Sequence, residues 1–126
     1  MKALGLEKSV IFLGNRKDMD YIYQGMDVCI FPSLFEGLGI VAIEAQAAGL
    51  PVVCSDGFPK EACVTPLFKK MNLSDAPSEW AKVALDMVNN EYCHKNMKDY
   101  IVKSGFDMDE TALKMQRYYL KKSGVH

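Results

Sequence analysis

DVCIFPSLFEGLGIVAIEAQAAGLPVVC, residues Asp27 to Cys54, reads as strand, loop, helix, turn and strand. Asp27 to Phe31 is a short apolar run with β-branched residues, closed by Pro32 and Ser33. Gly37 and Gly39 frame a loop, and Ile40 to Ala48 is apolar enough for a buried helix. Gly49 stands where a helix takes a left-handed residue just past its end, and Pro51 opens the next strand. Two acids interrupt this apolar segment, Glu36 and Glu44, with seven residues between them.

A helix that begins near Gly39 places the amides of Gly37, Leu38 and Gly39 at its positive end, a ready site for a phosphate or another anion. Glu44 then lies five residues further on, roughly 7 to 8 Å along the axis. The two carboxylates can bracket a ligand whose charged middle rests on the helix end and whose ends are polyols. A sugar joined through a pyrophosphate to a ribose has that shape. The plainer alternatives are a Glu36 that is solvated or caps the helix, and a Glu44 paired with a buried Lys or with backbone groups.

FPSLFEGLGIVAIEAQAAGLPVV resembles the E-x7-E segment of the family 4 retaining glycosyltransferases, which have the GT-B fold of two Rossmann-like domains. The flanking VIFLGNRKDMDYIYQGMD and CSDGFPKEACVT are also similar to the family's. EAQAAGLP, with the later KSGFDMDETALKMQRYYL, most resembles bacterial enzymes that build capsular or extracellular polysaccharides. The fold this implies is α/β: a Rossmann-like parallel sheet with flanking helices, the second half of a GT-B C-terminal domain. Carried over residue by residue, Glu36 is the catalytic position that contacts the donor sugar, and Glu44 holds the ribose hydroxyls. The amides of Gly37, Leu38 and Gly39 reach sugar hydroxyls and phosphate. The loop after a strand like VIFLG lies beside the nucleobase in the family, which makes Arg16 and Lys17 candidates for nucleotide contact; a solvated basic loop is the plainer reading.

The same resemblance implies a UDP- or GDP-linked sugar as donor substrate, a glycan or lipid-linked glycan as acceptor, and neither cofactor nor metal. A cytoplasmic location is expected from the cysteine usage, with a peripheral seat at the inner face of the membrane as the alternative. The family's strand ending in Gly-Arg, and the Lys after it, together grip the donor pyrophosphate, and Met1 to Ser9 carries no such motif. The expectation is therefore a partial donor-binding domain, without the acceptor-holding N-terminal domain and inactive alone. Two other readings stay open: a non-catalytic or split donor-binding subunit that needs a partner chain, and a nucleotide-sugar epimerase of the same fold.

Composition sets the frame. The chain has 126 residues, 49% hydrophobic and 25% charged, with a net charge of −1. That fits one globular domain and gives no reason to expect nucleic acid. No stretch is long and apolar enough to span a membrane. Cys29, Cys54, Cys63 and Cys93 have no metal-ligand spacing, and Cys29 and Cys54 sit in apolar strands, so reduced structural thiols are expected.

In order, Ser9 to Leu13 reads as a strand, and Asp18 caps a helix through Gln24 that turns Met19, Ile22 and Tyr23 inward. With the strand from Asp27 this makes a βαβ unit, and residues 9–73 form the core of one partial domain spanning 1–126. Val52 to Cys54 is the next strand, Pro59 to Glu61 a helical turn, and Leu67 to Leu73 a last strand or extended segment. Helices occupy 77–122. Pro77 starts one with Trp80, Val83, Ala84, Met87 and Val88 on one face, and Glu91 to Ser104 repeats the pattern with Met97, Tyr100 and Ile101. Asp109 caps the last, with Leu113, Met115 or Gln116, Tyr119 and Leu120 as core or packing surface. Ser9 to Leu13 is expected to close beside Asp27 to Phe31, because the strands that separate the two in the family's order are absent here. Self-association through uncovered surface is expected with it.

Overall fold

The computed structural model describes residues 2–89 and 94–124. Three short strands, β1 (Cys29–Phe31), β2 (Val52–Ser55) and β3 (Phe68–Met71), form a wholly parallel sheet in sequential order. Cys29, Val52 and Phe68 lie abreast, as do Phe31, Cys54 and Lys70. Among the described residues the α-helices are α1 (Met19–Gln24), α2 (Ile40–Ala47), α3 (Pro77–Val88), α4 (Lys98–Lys103) and α5 (Met108–Ser123), with single 3-10 turns at Lys2–Leu4 and Lys60–Ala62. This is the α/β, Rossmann-like arrangement, and its sequential order is that of the second half of a doubly wound sheet.

Side chains of β2 alternate between two cores, as strand geometry requires. Val52 and Cys54 join Tyr23 of α1, Ala42 and Ala45 of α2, Leu50, Phe58 and Ala62. Val53 points the other way, onto Trp80 and Ala84 of α3. A strand buried on both faces reads as a continuous apolar run, and VVCS is buried throughout. Helix α2 ends at Gly49, whose φ of +80° suits glycine, and a Cβ there would meet the Lys95 carbonyl oxygen at 2.7 Å.

Five expectations need correction. Ser9 to Leu13 forms no strand: Val10 to Leu13 is exposed, Ile11 by 81% and Phe12 by 79%. A strand gains its ladder only from a neighbour, and the free edge of three-residue β1 offers few hydrogen bonds to offset the entropy of ordering the segment. The Asp18 carboxylate does not cap α1; Arg16 takes it in a two-point pair at 2.9 and 2.6 Å. That guanidinium holds Asp18 below the ordinary carboxylate range.

Of the helix expected over Glu91 to Ser104, the described residues hold Lys98–Lys103. Residues 90–93, with Cys93, lie outside the described residues, and His94 then adopts φ of +58° while its amide donates to the Gly49 carbonyl at 2.7 Å. A left-handed residue bound to the end of α2 cannot also extend a helix. The cap of α5 is Asp107 rather than Asp109, its carboxylate accepting from the Glu110 amide at 2.8 Å. Finally, α5 buries none of its residues, so Leu113, Met115, Tyr119 and Leu120 form an exposed surface and not a core.

Candidate functional site

The loop between β1 and α2 carries Glu36, and the turn after β2 holds that loop in place. The Glu36 amide donates to the Gly57 carbonyl at 3.3 Å, and the Ser33 hydroxyl donates to a Glu36 carboxylate oxygen at 2.9 Å. Ser33 is fixed in turn, because its carbonyl accepts the Ser55 hydroxyl. A Cβ at Gly57 would stand 2.6 Å from the Leu34 carbonyl oxygen, so only glycine lets the two segments approach so closely. Half-buried Glu36 is thus held by its backbone and by its side chain.

Gly39 is the residue before the first turn of α2, with φ of +73° and ψ of 48°. Its carbonyl accepts the Ala42 and Ile43 amides. Among the described residues, no hydrogen bond takes up the amides of Gly37, Leu38, Gly39, Ile40 or Val41. Unpaired amides at a helix N-terminus carry partial positive charge toward the loop. Gly39 packs on the ring of buried Phe58, where a Cβ would come within 2.4 Å, and the Lys70 ammonium donates to the Phe58 carbonyl. Phe58 therefore serves as the floor under the helix end.

Glu44 lies on the exposed face of α2, not inside a buried helix, because Ala42, Ile43, Ala45 and Gln46 take the inward positions. The Tyr23 hydroxyl donates to Glu44 Oε2 at 3.2 Å. Burial first, then the charge and hydrogen bond of Glu44, push the Tyr23 phenol up to about 12. A cavity of about 520 Å³ opens between α1 and α2, lined among others by Lys17, Asp20, Tyr23, Gln24 and Glu44. A second hollow, of about 340 Å³, lies on the other side of Glu44 against Ile101, Phe106 and Met108 at the α4–α5 junction. Both volumes lie in the range of small-molecule pockets. Lys17 and Glu44 thus share one cavity, whereas Arg16 is committed to Asp18 and is not part of that lining.

Sequence reasoning missed Gln46, which is wholly buried and anchors α2. Its amide nitrogen donates to the Ala42 and Ala62 carbonyls at 2.9 and 2.8 Å, and its oxygen accepts from the Val64 and Thr65 amides and the Thr65 hydroxyl. A glutamine inside an apolar helix was the available signal, since a buried amide must find partners. The Tyr23 contact with Glu44 had no such signal, because the two stand 21 residues apart. Among the described residues, Cys29 and Cys54 are buried free thiols, pushed up by burial to about 11 and about 12. Among the described residues, no three His, Cys, Asp or Glu side chains cluster as metal ligands would, and no helix is long and apolar enough to cross a membrane.

Comparison with known proteins identifies the family. The family described as glycosyl transferases group 1 matches residues 1–90. A Bacillus subtilis protein that carries the name glycosyltransferase EpsF is 30% identical over 109 residues, 85% of this chain and 28% of the relative. A UDP-Gal:alpha-D-GlcNAc-diphosphoundecaprenol alpha-1,3-galactosyltransferase of Escherichia coli is 31% identical over 93% of this chain and 31% of its own length. A D-inositol 3-phosphate glycosyltransferase of Corynebacterium urealyticum is 31% identical over 94% of this chain and 29% of its own. The chain spans less than a third of each of these relatives. With an α/β sheet of the matching order and a family match over most of its length, the chain belongs to the group 1 glycosyltransferases, family 4 of the retaining enzymes.

Proposed function

We propose that this chain supplies the donor side of a retaining glycosyltransferase that moves a sugar from a UDP- or GDP-linked donor to a growing glycan in polysaccharide synthesis. The observation that carries the reading is the convergence on α2. Unpaired amides stand at its N-terminus, Glu36 is fixed just before it, and Glu44 shares a cavity with Lys17 further along it.

The chemistry follows from where charge develops. As the glycosidic bond to phosphate lengthens, the sugar becomes cation-like and the leaving phosphate gains negative charge. Amides of Gly37 to Val41 are positioned to stabilise that phosphate without reorganising. Glu36 accepts from hydroxyls of the donor sugar, and its carboxylate charge lies on the side where positive charge appears. Glu44 accepts from the ribose hydroxyls, and Lys17 lines the path towards the base. The named Escherichia coli relative acts on a lipid-diphosphate-linked sugar, which favours an acceptor of that kind. Exposed Ile30 on β1 and exposed Val10 to Leu13 support self-association of this chain by itself, which light scattering would read as a dimer or larger species.

Transfer kinetics test the assignment. In the intact enzyme, Glu36→Gln and Glu44→Gln should each lower transfer efficiency about tenfold to a hundredfold, the loss of a charge-assisted hydrogen bond of about 1.5 to 3 kcal/mol. Unchanged kinetics with both substitutions would end it. This chain alone should transfer no sugar and bind nucleoside diphosphates weakly; micromolar binding by calorimetry would show that α2 and Glu44 suffice for a tight grip.

A further inference from the structure

We propose that Tyr23 is a positioning residue for Glu44, aiming its carboxylate so that the second oxygen, Oε1, is presented to the ribose hydroxyls of the donor. The inference rests on the donor-site reading above and adds a residue that this reading does not require.

Glu44 stands on the exposed face of α2, where an unrestrained glutamate samples many rotamers and loses that freedom when a ligand binds. Tyr23 removes part of this cost beforehand. Its ring is only 6% exposed, packed in the core shared with Cys29, Ala42, Ala45 and Val52, so the hydroxyl is delivered from a rigid base. It reaches Glu44 Oε2 at 3.2 Å, and this is the one hydrogen bond to the Glu44 side chain among the described residues. Both residues line the same cavity with Lys17, so the contact lies at the wall of the space a nucleotide would occupy. The phenol stays protonated, and hence a donor, throughout the neutral range, since burial and the Glu44 charge raise it to about 12. Oε2 is occupied and Oε1 is left for the ligand.

A tyrosine that serves only packing would be indifferent to the ribose, and that difference sets the test. Uridine and guanosine diphosphates, each beside its dideoxyribose counterpart, are titrated by ligand-observed NMR against the wild-type chain, Tyr23→Phe, Glu44→Gln and the double variant. The phenylalanine keeps the buried ring, and melting curves establish that each variant is folded. For the nucleotide that binds, the wild-type chain should prefer the ribose form. Tyr23→Phe should weaken that form about three- to tenfold and leave the dideoxy form unchanged, and the double variant should be no weaker than Glu44→Gln alone. Equal weakening of both forms, or none in Tyr23→Phe, overturns the positioning role while leaving Glu44 in place. A wild-type chain that does not distinguish the two forms, or binds neither at millimolar nucleotide, overturns the Glu44 assignment and this inference with it.

Discussion

Helices α2 and α5 show what an apolar pattern does and does not decide. Helix α2 has eight residues and buries Ala42, Ile43, Ala45 and Gln46 against the sheet. Helix α5 has sixteen, caps itself with Asp107, pairs Glu110 with Lys114 at 3.0 Å, ends at left-handed Gly124, and buries none. Its Leu113, Tyr118, Tyr119 and Leu120 are between 45 and 62% exposed. Local signals can build a helix without tertiary partners, but only a facing sheet buries its stripe. Helix α2 has β1 and β2 beneath it, and so it can hold a site in fixed geometry.

The largest expected break in this comparison is at Gln46. Gln46→Ala strips partners from the buried Ala62 carbonyl and from the Val64 and Thr65 amides, and should cost about 2 to 5 kcal/mol in chemical denaturation. A cost below about 1 kcal/mol would mean that α2 is anchored by packing alone.

Alkaline pH attacks the same core. Tyr23, Cys29 and Cys54 all have raised values, from 10.0 to about 12, from 9.0 to about 11 and from 9.0 to about 12. The fold favours their neutral forms, so this stability is fully present below about pH 9 and is lost as pH rises towards 12. Melting temperature should be flat on the neutral side of that window and fall through it. In the same range Cys63, exposed, should be alkylated well before Cys29 and Cys54.

Gly39→Ala is a smaller and more local break. It forces a side chain to φ of +73° and towards the Phe58 ring, and should cost about 1 to 3 kcal/mol, with the loss felt at the start of α2. Amide exchange would locate it there; a uniform loss of protection would argue against a local strain.

Smallest of all should be changes on α5. Leu113→Ser or Tyr119→Ser removes no buried contact and should move stability by less than about 0.5 kcal/mol. A loss above about 2 kcal/mol would reveal packing on α5 that its exposure denies.

Much of the sheet could be read from residues. The run VVC with Gly49 and Pro51 before it located β2, and Trp80 with Ala84 four residues on marked the buried face of α3. Both readings depend on local periodicity and local turn chemistry, which a sequence carries. Ser9 to Leu13 has the composition of a strand, yet strand formation depends on an available neighbour, which composition does not encode. Asp107 and Asp109 are equally good caps on paper; the extended backbone of Asp107, φ −77° and ψ 123°, selects it. At the site, Glu36 and Glu44 could be singled out as acids in an apolar segment. Their hydroxyl partners differ in legibility: Ser33 is three positions from Glu36, but Tyr23 reaches Glu44 only through the fold.

The central claim is that a nucleotide-linked donor rests on α2, with its phosphates at the free amides and its ribose at Glu44. Isotope-labelled chain titrated with a nucleoside diphosphate, followed by backbone amide NMR, tests it most directly. The account predicts that the largest shifts fall on Gly37 to Val41, with a second group at Lys17, Tyr23 and Glu44, while residues 113–120 of α5 stay still. Shifts concentrated on α5, with the Gly37 to Val41 amides unmoved at saturating nucleotide, would contradict it.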